Sequence, residues 1–260
     1  MSLTRAVLRF AAPLPKLEQC ERFLFVGPHP DDIEIGAGAT AAKLADAGKQ
    51  ICFLICTDGR YGTSNAPAGI SPDRLAQLRK EEAGRAASLL GVKDLRFLDL
   101  SDGGFYDRDD LKRGIAQAIG DFQPDVIFAP DPWTGSECHT DHLNVGHTVC
   151  QLACFSHNPG VMAAYGAINA PVKALALYMT AHPNQYICTR GYLAKQMEAI
   201  ADCHSSQFPR GCADQKSLSL YLKLRALDFG LRACCGQAEG FRVLGETQMH
   251  CLPEAGLKKS

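Results

Sequence analysis

Gly27-Pro28-His29-Pro30-Asp31-Asp32-Ile33-Glu34-Ile35-Gly36-Ala37-Gly38 is the stretch that decides the fold. In front of it runs Phe23-Leu24-Phe25-Val26, short, apolar and closed by Gly27 and Pro28, as a buried strand would be. Behind it, Gly36 to Gly48 carries Ala and Leu at helical density. Strand, tight turn and helix together set His29, Asp31 and Asp32 at the carboxyl end of a first strand. Open α/β sheets hold their ligands there. An imidazole and a carboxylate three residues apart supply two ligands of an open Zn²⁺ site. Asp31, beside them, suits the task of taking a proton from a water near the metal. A His-Pro-Asp turn alone is also met as an ordinary polar surface turn, so the rest of the chain has to decide.

Outward from that stretch, strands and helices alternate. Gln50–Thr57 is a second buried strand, and the Gly-, Pro- and Ser-rich segment from Asp58 to Ser71 forms a loop over the site. Ser71-Pro72-Asp73 opens a long helix that stops at Gly91. Leu95–Leu98 is a third strand, followed by the turn Ser101-Asp102-Gly103-Gly104 and a helix from Asp109 to Gly120. Asp125–Ala129 is a fourth strand, after which His139-Thr140-Asp141-His142 leads into a helix to Phe155. Lys173–Met179 is a fifth strand; Gly191–His204 and Leu218–Cys234 are helical, and the tail past Gly245 is irregular. The pattern predicts an α/β, Rossmann-like three-layer sandwich with a mostly parallel sheet and the site at the carboxyl ends of its strands. At 260 residues the chain is read as one domain spanning 1–260.

Composition narrows the function. A net charge of −1 gives no electrostatic footprint for nucleic acid. No apolar run reaches membrane-spanning length. The glycines of 27–38 do not give Gly-x-Gly-x-x-Gly, which disfavours a dinucleotide site. Residues Met1 to Pro15, with Arg5 and Arg9 breaking their apolar pieces, are expected to form a leader strand or arm. The 12 cysteines include no Cys-x-x-Cys pair and are read as reduced, mostly buried thiols of a cytoplasmic protein.

Carboxyl ends of parallel strands point the same way, so the loop after the fourth strand converges on His29. His29, Asp32 and His142 then form a two-His, one-carboxylate set with a position left for water, as in catalytic zinc sites; Fe²⁺ accepts the same set. His139 falls in the same pocket as a general-acid candidate, and Asp141 can accept a hydrogen bond from a neighbouring imidazole.

The pair His29-Pro30-Asp31-Asp32-Ile33-Glu34 and His139-Thr140-Asp141-His142 resembles the two signature motifs of the LmbE-like, or PIG-L, family of zinc-dependent N-acetylglucosaminyl de-N-acetylases. Thr57-Asp58-Gly59, Arg79-x-x-Glu82, Leu98-Asp99-Leu100-Ser101-Asp102-Gly103, His204-Ser205-Ser206-Gln207 and Ala238-Glu239-Gly240-Phe241 resemble its further landmarks, so the likeness covers roughly 20–245. It implies a cytoplasmic hydrolase removing an N-acetyl group from a small GlcNAc-containing glycoconjugate. In it His29, Asp32 and His142 hold Zn²⁺, and Asp31 is the general base. His139, supported by Asp141, protonates the leaving amine or steadies the oxyanion. Arg79 and Asp102 hold substrate hydroxyls and phosphates. Trimeric or hexameric homo-oligomers are implied too.

Thr140 stands where the family often has Pro, and the segments after Gly59 and from Pro132 to Cys138 are particular to this chain. They border the pocket, so the resemblance carries no single substrate across. Two other functions suit the same residues. One is an amide hydrolase acting on a non-sugar N-acyl compound. The other is a metal-containing sugar-binding module without turnover, which the intact Asp31 argues against.

Overall fold

The computed structural model describes residues 11–250. Its elements run β1 (Arg22–Gly27), α1 (Asp32–Asp46), β2 (Gln50–Thr57), α2 (Pro72–Leu90), β3 (Asp94–Leu100), α3 (Arg108–Phe122), β4 (Val126–Pro130), α4 (Thr140–Phe155), α5 (Pro159–Ala164), β5 (Ala174–Tyr178), β6 (Gln185–Cys188), α6 (Leu193–Glu198), α7 (Ala213–Arg232), β7 (Ala238–Gly245) and α8 (Glu246–Met249). A π-helical turn, Ala199–Cys203, extends α6. The sheet order is β3-β2-β1-β4-β5-β7-β6. The first five strands pair in parallel, and β7 pairs antiparallel with both β5 and β6. This is the expected three-layer α/β sandwich with a mostly parallel sheet.

Period-two alternation along β1 builds both faces. Phe23 and Phe25 enter one core with Ala41 of α1 and Ala83, Ala86 and Leu90 of α2. Leu24 and Val26 enter the other with Ile115 of α3 and Val149 of α4. Phe25 stacks on Phe128 at 4.3 Å between ring centroids, tying β1 to β4 where the two site-bearing turns emerge.

Four features differ from the sequence reading. β6 and β7 were not foreseen: β6 has only four residues, and β7 carries Gly240 and Arg242 in its interior. α5 was not foreseen either. The tail after Gly245 includes the short helix α8. And α1 begins at Asp32 rather than Gly36, with a non-helical residue, Ala37 (φ −153°), inside it. Gly36 is obligatory at that point, since a Cβ there would overlap the ring of Tyr178. The leader expected over Met1 to Pro15 lies, for residues 1–10, outside the described residues.

Candidate active site

Two turns at the carboxyl ends of β1 and β4 meet. The β1 turn is bent by local bonds: the His29 amide donates to Asp32 Oδ2 at 2.9 Å, and the Ile35 amide donates to the Asp31 carbonyl at 3.0 Å. Asp31 between them has φ 141°, a conformation that costs a non-glycine residue on the order of 1–3 kcal/mol and gathers at functional sites. The β4 side is set by His139, the N-cap of α4, whose Nδ1 accepts from the Asp141 amide at 3.3 Å. One turn further, His142 faces back to the β1 turn.

Asp32 Oδ2 is the point of convergence. His29 Nδ1 lies 3.0 Å from it and His142 Nε2 3.3 Å. The donor atoms of His29, Asp32 and His142 all fall within 4.8 Å of one another. Each imidazole meets a second carboxylate on its far nitrogen. Asp141 Oδ2 lies 3.0 Å from His29 Nε2, and Glu137 Oε2 lies 3.1 Å from His142 Nδ1. Carboxylates behind imidazoles fix ring orientation and raise basicity toward an ion. Two near nitrogens, one carboxylate and two outer carboxylates fit a divalent cation.

A second grouping, His29, His139 and Asp141, is equally compact. The Asp141 oxygens, however, are taken up by the amides of Gly103 (2.7 Å) and Gly104 (2.9 Å) as well as by His29. Asp141 is therefore a brace that joins the β3 turn, α4 and His29. The imidazole it holds is that of His29. His139 Nδ1 stands 3.8 Å away, beyond a hydrogen bond, so the expected support of His139 by the Asp141 carboxylate is corrected here.

Electrostatics follow the geometry. Burial works against a charged His29, but its bonds to Asp141 and Asp32 outweigh that and push its pKa up to about 10. Burial raises Asp141, yet the His29 and Gly103 bonds hold it down at about 2. Asp32, also raised by burial, is held well below the carboxylate range by His142. For His142, burial is overcome by Asp32 and the pKa rises. His139, half exposed at the rim, is pushed down by partial burial and by the two imidazoles. Burial raises Asp31, offset in part by Arg79.

The two residues expected to touch substrate are both buried. Arg79 is 4% exposed; its Nη2 donates to Asp31 Oδ2 (3.0 Å) and Pro30 O (2.9 Å) and its Nη1 to Gly59 O (3.1 Å), while its Nε has no partner. Gly59 (φ +68°) makes room for it, since a Cβ there would overlap the guanidinium. Asp102 is 6% exposed, and both its oxygens accept from the Tyr61 amide at 3.2 Å, holding the loop after β2 against the β3 turn. The Nη donors of Arg79 are engaged by the Asp31 carboxylate and by the backbone of the two turns, so it holds the carboxylate in place.

Sequence reasoning missed Glu137, an acid in a Gly- and Ser-containing loop with no distinguishing neighbours. It also gave no role to Glu34 and none to His204 beyond its place in the landmark at 204–207. His204 is fully buried and pairs with Glu34 at 3.4 Å; burial opposes its charge and Glu34 raises its pKa. Beside it, Glu82 accepts from the Ser205 and Ser206 hydroxyls and the Ser206 amide. The family-like pattern at 204–207 thus locks α2 to the π-turn. Among the described residues every cysteine is free.

The sequence pattern of PIG-L, described as GlcNAc-PI de-N-acetylase, matches residues 24–153, which hold every residue of this cluster. The chain belongs to the PIG-L family. Its likeness to the diacetylchitobiose deacetylase of Thermococcus kodakarensis is 30% identity over 257 residues, 95% of this chain and 94% of that protein. A 1D-myo-inositol 2-acetamido-2-deoxy-alpha-D-glucopyranoside deacetylase of Kineococcus radiotolerans is 30% identical over 203 residues, 67% of this chain but 55% of that family member. The solved N,N'-diacetylchitobiose deacetylase of Pyrococcus horikoshii, in complex with an inhibitor, superposes with a TM-score of 0.83 at 28% identity, covering 97% of both chains. Among the described residues, no helix is long and apolar enough to cross a membrane.

Proposed function

We propose that this family member is a metal-dependent hydrolase, working as one domain, that removes an N-acetyl group from a GlcNAc-containing glycoconjugate. The observation that carries the reading is the convergence of His29 and His142 nitrogens on the Asp32 carboxylate, next to a strained, buried Asp31. The full-length likeness to proteins named for deacetylating GlcNAc sugars supports the substrate class.

His29, Asp32 and His142 are the residues that would hold the ion, with Zn²⁺ the best match to the donors and Fe²⁺ acceptable to them. When bound, such an ion supplies Lewis acidity to an amide carbonyl and to a water. Asp31 takes the proton from the attacking water. Its Oδ2 is occupied by Arg79, which leaves Oδ1 for that task. Arg79 is then a positioning residue: it holds the carboxylate and, through Pro30 O and Gly59 O, the turn that carries it. His139, at the rim 4.7 Å from the His29 ring and 5.1 Å from that of His142, delivers a proton to the departing nitrogen. The amide C–N bond breaks, the water oxygen leaves in acetate, and the sugar keeps a free amine. Asp141 acts through His29, and Asp102 through the Tyr61 loop.

The test separates base from ligand. Asp31→Ala protein should take up one equivalent of Zn²⁺, as the wild type does, while its acetate release falls by about 10²–10⁴-fold, the range for a lost general base. Wild-type kcat in that variant would remove Asp31 from the role.

A further inference from the structure

The cysteines fall into two kinds. Burial raises the thiols of Cys20, Cys52, Cys56, Cys150 and Cys203, which makes them poor nucleophiles. Cys188 and Cys235 are different: both are half-buried, and both lie at one edge of the sheet. Cys188 closes β6, the outermost strand, which pairs on one side alone, with β7. Cys235 lies in the turn that joins α7 to β7.

Backbone pairing brings the two thiols together. Cys188 stands opposite Ala238, three residues beyond Cys235. The Thr189 amide donates to the Gln237 carbonyl at 2.9 Å, and the Cys235 thiol donates to the same carbonyl at 3.3 Å. The Cys188 thiol in turn donates to the Cys235 carbonyl at 3.7 Å. Two sulfurs thus reach one small loop from its two sides, within hydrogen-bond reach of each other. The turn is tight, with Cys234 (φ 53°) and Gly236 (φ 83°) both left-handed; it leaves Cys234 exposed and Cys235 half-buried against β6. The Arg190 amide at Cys188, helped by the Cys235 thiol, outweighs partial burial and holds the Cys188 pKa below the ordinary thiol value. Burial and the Cys188 thiol raise that of Cys235. One sulfur is therefore the attacking thiolate and the other the resolving thiol, the division that thiol–disulfide exchange requires.

We propose that Cys188 and Cys235 are a reversible redox pair, which small disulfides of the glutathione class oxidise to a bond that staples β6 to the end of α7. The Cys188 thiolate attacks one sulfur of the small disulfide and expels one small thiolate. Cys235 then gives up its proton and attacks the Cys188 sulfur, and the second small thiolate departs. One S–S bond forms in the protein and one breaks in the reagent; the protons of the two cysteines end on the two released thiols. A half-exposed bond of this kind is open to reduction by the reverse route. It closes a loop from 188 to 235 that contains α6, the π-turn and α7, and it fixes an edge strand that is otherwise held by β7 alone. The pair is independent of the deacetylase reading.

The full chain, loaded with Zn²⁺, is incubated with oxidised glutathione, blocked with iodoacetamide and mapped by peptide mass spectrometry. Its melting temperature is read before and after dithiothreitol. Wild type and Cys234→Ser are expected to give a linked Cys188–Cys235 peptide. Their melting temperature should rise by about 5–15 °C, the scale of a bond closing a loop of that length, and fall back on reduction. Cys235→Ser should stop at a glutathione adduct on Cys188, and Cys188→Ser should gain its adduct at Cys235 about tenfold more slowly. The wild type carries the main result, so the folding of a variant does not decide it. Glutathione adducts without the linked peptide, a link through Cys234 instead, or no reaction at either thiol would overturn the pair. A linked peptide with an unchanged melting temperature would overturn the stapling of β6.

Discussion

Asp31 and Arg79 show how much of the chemistry rests on single side chains. The Asp31 carboxylate is buried, and burial alone favours its protonated form. Arg79 is the main counterweight. Replacing it by Met should move the acidic limb of the kcat/KM profile to higher pH, because the base then gives up its proton only at higher pH. An unshifted limb with lowered kcat would mean that Arg79 acts by position alone. Gly59→Ala should act in the same direction, by pushing the guanidinium away without replacing any ionisable residue. At Asp141 the expected loss is in the metal: Asp141→Asn removes the brace on His29 and should weaken Zn²⁺ binding by about 10–100-fold, measured by competition with a chromophoric chelator. The residues of the cluster were legible in the sequence because His, Asp and His at two strand ends are chemically unusual. Glu137 was not, since an acid in a polar loop looks the same whether or not an imidazole faces it. The Asp141 brace was half legible: an acceptor for an imidazole was expected, but only the folded chain shows which imidazole it meets.

At the scale of elements, α1 is the informative case. The helix was expected to start at Gly36 and is observed to start at Asp32, with a break at Ala37, just past the expected start. Past that break, the amides of Ala39 and Thr40 are turned toward Glu239 of β7, which accepts at 3.3 Å and 2.7 Å. Glu239 serves as a side-chain cap delivered from two hundred residues away, a contact no local pattern can announce. Burial pushes its pKa up to about 7 from an ordinary 4.5, against the pull of those donors. A carboxyl whose folded pKa lies above its unfolded one favours the folded state most when protonated. Its stabilising contribution is therefore complete below pH 4.5 and is lost as pH rises through 7. The stability of the wild type relative to Glu239→Gln should fall by on the order of 2 kcal/mol over that window, read from urea midpoints at a series of pH values. A flat difference would mean that Glu239 ionises freely. The strands β1 to β5 were legible because buried parallel strands are continuous apolar runs. β6 and β7 were not: they are an antiparallel edge, short or broken by Gly240 and Arg242, and held by pairing rather than by pattern.

For the whole molecule, the two cores on either side of the sheet are complete without an ion, and the site sits on top of them. Chelation should therefore lower the melting temperature while leaving the far-ultraviolet circular dichroism unchanged. Reloading at a hundredfold excess over Kd should restore about 2.7 kcal/mol. In the metal-free protein the pKa of His29 is up at about 10, so its imidazole holds a proton at neutral pH, and that of His142 is raised by Asp32 against burial. Ligation needs both imidazoles neutral. Zinc uptake at pH 7 should then release between about one and two protons per ion, from calorimetry in buffers of different ionisation enthalpy, and should tighten as pH rises.

The central claim is that this cluster hydrolyses the acetamide of a GlcNAc conjugate. It is tested most directly by acetate release from a panel of acetamides. The panel comprises GlcNAc, diacetylchitobiose, GlcNAc-inositol, GlcNAc-malate and several N-acetyl amino acids, each offered to Zn²⁺-loaded wild type and Asp31→Ala protein. Acetate from at least one GlcNAc compound, abolished in the variant, is the expected result. Acetate from acylated amino acids alone, or from none of the panel despite stoichiometric zinc, would contradict it.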